Sequence, residues 1–282
     1  MRNPFWRNQN FSAATWFGLA AFAGAGFLAA LDLRLATVPL AMFILACLVA
    51  PFLPWLGFFL PVISKGTTGK PTVALTFDDG PDPASTPGLL NLLQRYSIQA
   101  TFFVTGQKAE RYPELITDIL ERGHTVGNHS YRHSTFALLR GPDAIRVEIV
   151  STQKVLERFG ILPLVFRPPV GITTPGLGLV LAQLGLSAVN FRFRPFDGGN
   201  RRLRNLARFT LDRVRPDDIL VLHDLKPAKG HRVDQWLIEM ERILVGLGKK
   251  DLTILPLETL INRPVMKKVK KSGPDNRAFV CP

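Results

Sequence analysis

The sequence predicts a parallel α/β domain behind a membrane-spanning helical hairpin. Two observations carry the α/β expectation. From about residue 71, short β-rich runs alternate with helical patterns, and acids and histidines collect where those runs end. A third observation carries the hairpin: residues 1–64 hold only four charged side chains, Arg2, Arg7, Asp32 and Arg34.

The leader comes first. Residues 13–31 contain no charge, which is long enough to cross a bilayer. After Asp32-Leu33-Arg34 a second uncharged run extends over residues 35–63, interrupted by Pro51, Pro54 and Pro61. A second span is expected at 35–53, followed by a bent, interfacial stretch at 55–63. A cleaved signal has a shorter apolar core and no second apolar run after it. A soluble hairpin would show polar faces, and these segments show almost none. Arg2 and Arg7 precede the hairpin and Lys65 and Lys70 follow it. Positive charge at both ends places them, and the domain, on the cytoplasmic face of a bacterial-type inner membrane. A third crossing at 55–63 would instead place the domain outside.

The 282-residue chain carries a net charge of +13, of which the leader holds +2 and residues 65–282 hold +11. A basic excess suits nucleic acid, an anionic lipid surface or a phosphate-bearing substrate. No zinc-finger spacing or RNA-binding signature is present, so nucleic acid is not an expected partner; membrane lipid is. Cys47 and Cys281 do not form a disulfide framework. A basic tail at 263–282, with Lys267, Lys268, Lys270 and Lys271, reads as a solvated charge run or a grip on anionic lipid.

Within the domain, expected at 65–262, strands are predicted at 73–77, 100–105, 124–127, 164–167, 186–191, 219–223 and 252–255. Helices are predicted at 86–96, 112–122, 143–159, 175–184, 201–214 and 233–247. Seven parallel strands can close into a barrel or stay open, and the pattern does not choose between them. Asp78 and Asp79 follow the first strand, His129 the third; Arg167 ends the fourth, Asp197 follows the fifth and His223 ends the sixth. In a parallel barrel those ends share one rim, where active sites are built.

Two of these clusters carry chemistry. His129 and His133 stand four apart, and on a helical turn they would share a face and suit one divalent ion. Asp78 and Asp79 are adjacent, so their carboxylates leave a strand in different directions. One can bind a metal while the other faces a substrate, the division that metal-assisted hydrolysis needs.

Residues 71–260 resemble the polysaccharide deacetylase family, the NodB homology domain of carbohydrate esterase family 4. Thr76-Phe77-Asp78-Asp79-Gly80-Pro81 and His129-Ser130-Tyr131-Arg132-His133 match the family's first two motifs. Arg167-Pro168-Pro169-Val170-Gly171 is close to the third, Asp197 sits at the fourth and Leu220-Val221-Leu222-His223 matches the fifth. The resemblance implies a distorted (β/α)7 barrel and a metal-dependent deacetylase of amino sugars. It implies that Asp79, His129 and His133 hold one divalent metal, zinc first, with cobalt, nickel or manganese as alternatives. Asp78 would be the general base, His223 the general acid, Arg167 the partner of Asp78 and Asp197 that of His223. Pro169, Val170 and Gly171 would bind substrate, with the Val170 N–H facing the oxyanion. Val170 replaces the family's usual Tyr, and Gly198 its usual Trp, so the sugar pocket departs from the polymer-binding pattern. The expected substrate is a carbohydrate, with a polyprenyl-phosphate-linked N-acetylhexosamine as the first expectation. The alternatives are an extracytoplasmic cell-wall or secreted polysaccharide, and an inactive barrel serving as a binding subunit.

Overall fold

A computed structural model describes residues 12–195, 199–201, 203–228 and 232–270. Two helices form the leader. α1 (Ala13–Ala29) is capped by the Ser12 hydroxyl, which accepts from the Thr15 N–H. α2 (Leu33–Val49) is capped by Asp32, whose carboxylate accepts from the Arg34 N–H at 2.8 Å. The helices face each other through small residues: Gly18, Ala21, Ala25 and Ala36 are buried. A Cβ at Gly18 would meet the Phe43 ring at 3.0 Å, so the close approach requires glycine there. Trp16, Phe22, Phe27, Ile44, Leu45 and Leu48 all face outward. With one 3₁₀ turn added, α2 runs to Phe52 and is long and apolar enough to cross a membrane; the 17-residue α1 is shorter.

The domain follows as β1 (Val62–Ile63), β2 (Thr72–Asp78), α3 (Thr86–Arg95), β3 (Thr101–Val104), α4 (Gly106–Arg111), α5 (Pro113–Glu121) and β4 (Thr125–Asn128). Next come α6 (Thr135–Leu139), α7 (Pro142–Glu157), β5 (Ile161–Pro163), β6 (Val165–Phe166), α8 (Pro175–Leu184) and β7 (Ser187–Val189). The described elements end on α9 (Leu206–Arg213), β8 (Ile219–His223), α10 (Val233–Lys249), β9 (Thr253–Ile254), α11 (Leu257–Leu260) and β10 (Met266–Lys268). The main sheet is parallel, in the order β1-β7-β6-β4-β3-β2-β8, with β9 beside the start of β2. It curls into the distorted barrel that the family resemblance implied. An antiparallel bridge from Lys65 to Asp218 ties the chain after β1 to the start of β8.

Every residue of β2 is buried, as expected of a central parallel strand covered on both faces. Outside the sheet, α3, α5 and α10 pack Leu89, Leu93, Ile116, Trp236 and Ile243 against Val73, Leu75 and Phe102. Gly127 permits a close strand contact: a Cβ there would lie 2.5 Å from the Phe103 ring.

Three expectations need correction. The stretch at 55–63 is not wholly interfacial, because Val62 and Ile63 pair in parallel with Ala188 and Val189 of β7. A two-residue strand inside a continuous apolar run has no periodicity to reveal it. Consequently the leader is seated on the barrel, with Leu60 buried among Leu177, Val180 and Leu181. The tail does not begin at 263: Val265 is buried and β10 pairs with β5. Lys271 and the rest of the tail lie outside the described residues. Finally, the helix expected at 201–214 starts only at Leu206, because Asn205 is left-handed at φ 61°.

Candidate metal and acid–base site

The C-terminal ends of the strands meet in a cavity of about 630 Å³ lined by Asp78, Asp79, His129, His133, Val170 and His223, with Gly171 and Phe191 beside them. β2 delivers both acids. Asp79 takes a left-handed conformation, φ 69°, that ends the strand and turns its carboxylate away from that of Asp78. Asp78 Oδ1 accepts from Arg167 Nη1 at 2.6 Å. Asp79 Oδ1 faces His129 Nε2 at 3.3 Å and His133 Nε2 at 3.1 Å.

The two histidines are not on a helical turn, as the spacing suggested. Ser130 and His133 are both left-handed, φ 66° and 56°, and residues 129–134 form a loop. Polar contacts hold that loop. Glu148 Oε2 accepts from the N–H groups of Tyr131 and Arg132, and the Asn128 side chain accepts from the Ser130 N–H. His129 Nδ1 bonds the Arg167 carbonyl at 2.7 Å, which leaves Nε2 aimed at the acids. Val170 is a fourth left-handed residue, φ 59°, on the cavity rim. Such strained positions cluster at functional sites.

Arg167 lies beneath the cavity rather than on it. It is wholly buried, donates to Thr76 Oγ1, Asp78 and the Val189 carbonyl, and stacks 3.9 Å over the Phe103 ring. Burial lowers its pKa, and Asp78 opposes that shift. His223 pairs with Asp78 across the β2–β8 ladder and reaches the cavity from there. Gly171 lines the cavity with Val170, whereas Pro169 is buried and does not line it. Asp197 and Gly198 lie outside the described residues.

The electrostatics favour a cation among the ligands. Burial alone would raise the Asp79 pKa, but His129, His133 and His223 outweigh it and hold this carboxyl far below the usual range. Burial alone would lower that of His129, but Asp78 and Asp79 outweigh it and raise it. His133 is lowered, by burial first and by His129 second.

A profile of the family described as Polysaccharide deacetylase matches residues 65–189. A peptidoglycan-N-acetylglucosamine deacetylase of Bacillus cereus is 30% identical over 191 residues, covering 67% of this chain and 87% of that protein. A chitooligosaccharide deacetylase of Azorhizobium caulinodans is 34% identical over 201 residues, covering 68% and 95%. The chain belongs to the polysaccharide deacetylase family. A family 4 carbohydrate esterase from Streptomyces lividans, solved with acetate, superposes with a TM-score of 0.57 at 33% identity, covering 65% of this chain and 91% of that one. A crystal structure of a peptidoglycan N-acetylglucosamine deacetylase superposes with a TM-score of 0.66 at 27% identity, covering 72% and 94%. This chain is accordingly a hydrolase of the amide bond of N-acetyl sugars.

Deacetylases of this family depend on a metal, and the residues here fit one. One ligand atom from each of Asp79, His129 and His133 lies within 4.8 Å of the others. Asp79 Oδ1 is buried and has no properly directed hydrogen-bond donor. A tetrahedral ion with bonds of ~2.0–2.1 Å spaces its ligand atoms about 3.3 Å apart, close to the spacing of Asp79 Oδ1 from each imidazole. Two imidazoles and one carboxylate form a donor set that leaves positions open for reactants.

Sequence reasoning missed several supporting residues of this deacetylase. Asp224, directly after His223, is fully buried; burial lifts its pKa to about 6 against the hydroxyls of Thr86 and Ser85, which donate to it at 2.6 and 2.7 Å. A Cβ at Gly80 would lie 2.6 Å from Asp224 Oδ2, so glycine is needed where the first-motif turn crosses this acid. Lys108 Nζ donates to the Asp79 carbonyl at 2.7 Å. Asn200 donates to the carbonyls of His223 and Leu225. An acid immediately beyond a strand-end histidine was the available signal for Asp224. Lys108 and Asn200 had none.

Proposed function

We propose that this chain is a zinc-dependent N-deacetylase that works at a membrane surface on a lipid-linked N-acetylhexosamine. The observation that carries the reading is the contact between leader and cavity rim. Asn190 Nδ2 donates to the carbonyls of both Pro54 and Gly171, and a Cβ on Gly171 would lie 2.8 Å from Pro54. The Thr173 N–H donates to the Pro51 carbonyl. Phe52, Trp55 and Leu56 of the leader are exposed, as is Val170 on the rim. A hairpin seated in a bilayer would therefore hold the cavity next to the headgroups. A substrate confined to that plane is met at a raised effective concentration.

The chain's own residues fit the roles implied for them. Asp78 is the general base, oriented by the hydrogen bond from Arg167, and takes the proton of the attacking water. His223, across the ladder from Asp78, protonates the departing amine. The Val170 N–H stabilises the oxyanion, in a backbone conformation that valine adopts only under strain. Asp79, His129 and His133 hold the ion, which supplies Lewis acidity toward water and the amide carbonyl.

A second reading, deacetylation of an extracytoplasmic polysaccharide, draws on relatives named for peptidoglycan and chitooligosaccharides. One assay separates the two. Detergent-solubilised, zinc-loaded full-length protein is given the lipid-linked sugar and chitin oligomers side by side, and acetate is measured. Faster release from the lipid-linked sugar is expected; release from chitin oligomers alone overturns the reading. A reporter fused after residue 282 tests the cytoplasmic orientation.

A further inference from the structure

The segment from Phe191 to Arg204 carries five arginines, Arg192, Arg194, Arg201, Arg202 and Arg204, against one acid, Asp197. It is also where the chain departs from the family's sugar-binding pattern. Arg192 is paired with Asp218 at 3.4 Å. Arg194 and Arg201 instead line the catalytic cavity and have no acidic partner among the described residues. The Arg194 guanidinium lies 5.7 Å over the ring of Phe191, itself a cavity wall, which restrains it at the rim. The acids across the cavity are already committed, Asp78 to Arg167 and Asp79 to the two imidazoles. Among the described residues the cavity has no spare anion, so its two guanidinium groups leave positive charge for a substrate to meet.

We propose that Arg194 and Arg201 recognise a phosphate on the substrate and make this enzyme selective for phosphorylated N-acetylamino sugars. The inference rests on the deacetylase reading above and adds to it the group that is recognised. Phosphate fits better than a single carboxylate: it brings up to two charges and three free oxygens to two planar donor forks. The same chemistry is offered by a lipid-linked sugar phosphate and by a soluble sugar phosphate.

The test uses zinc-loaded full-length enzyme in detergent and four N-acetylglucosamine substrates. These are the 1-phosphate, the polyprenyl diphosphate, the neutral methyl glycoside and the methyl glycoside bearing a 3-O-lactyl carboxylate. Both phosphorylated sugars are expected to exceed the methyl glycoside in kcat/KM by at least about 10-fold. The 1-phosphate isolates the phosphate, and any further gain with the polyprenyl diphosphate reports the lipid. In R194Q/R201Q that preference ratio is expected to fall toward one, with R194K/R201K recovering part of it and metal content and melting temperature unchanged. Equal kcat/KM for phosphorylated and neutral sugars, or an unaltered ratio in R194Q/R201Q, overturns this inference and leaves the deacetylase reading standing. An equal preference for the carboxylate sugar overturns the choice of phosphate. No acetate from any of the four overturns both readings together.

Discussion

In the barrel the largest side chains are inside: Trp236, Phe77, Phe102, Phe103 and Phe166 are fully buried. In the leader hairpin the order is inverted. Gly18, Ala21 and Ala25 are buried, while Trp16, Phe22, Phe27 and Leu45 face outward. Water drives large apolar groups inward and makes the first arrangement stable. It opposes the second, which is stable where the surroundings are as apolar as leucine and helices meet through close packing of small residues. The contrast is the one that two different solvents would produce, and the cavity lies beside the leader, where Pro54 meets Gly171.

The largest effect expected from a single change lies on the barrel side. Asp78→Asn should retain the metal and lower kcat by about 10³-fold. His129→Ala should lose both metal and activity, and elemental analysis beside acetate release separates the two variants. Next comes Arg167→Leu, which strands a buried carboxylate and should cost roughly 3–5 kcal/mol in chemical unfolding. A fall under 1 kcal/mol would mean that Asp78 does not depend on this arginine as its buried partner.

The contrast between solvents is tested at matched exposure. Leu45 of the hairpin and Ile238 of the barrel are 61% and 48% exposed. Leu45→Asp should cost about 3 kcal/mol of membrane insertion and shift protein from the membrane fraction. Ile238→Lys should change barrel stability by less than about 0.5 kcal/mol. Equal tolerance at the two positions would break the comparison.

A further effect is a pH dependence confined to the barrel. His124 is buried against Phe102, and its Nδ1 accepts from the Ala100 N–H. Burial, with Arg122 nearby, lowers its pKa from 6.5 to about 4. The unfolded chain therefore takes up the proton first. The stabilisation is complete above pH 6.5 and is lost progressively toward pH 4, by at most roughly 3 kcal/mol. His124→Gln should flatten that part of the stability profile.

Much of the site was legible because its residues are short-range signals. Asp78 and Asp79 adjoin, His129 and His133 are four apart, and β2, a β-rich run, and β8, an unbroken apolar one, each end on a functional residue. The physical meaning of the histidine spacing was misread, since a loop with two left-handed residues, not a helix, brings those rings to Asp79. Asp224 adjoins His223, but its partners Ser85 and Thr86 lie far away in sequence, and no local pattern links Lys108 to Asp79.

Composition, periodicity and motif order determined the apolar leader, the alternation of strands and helices, and the identity of the metal and acid–base candidates. These follow from local preferences and from covalent neighbours, which a sequence displays directly. Only the tertiary structure decided that Val62 and Ile63 add an edge strand, that Pro54 touches the Gly171 rim, and that Arg194 and Arg201 line the catalytic cavity. Those facts depend on contacts between segments more than a hundred residues apart, or on which way a loop turns. Burial and packing of the whole chain settle them, and no local pattern encodes them.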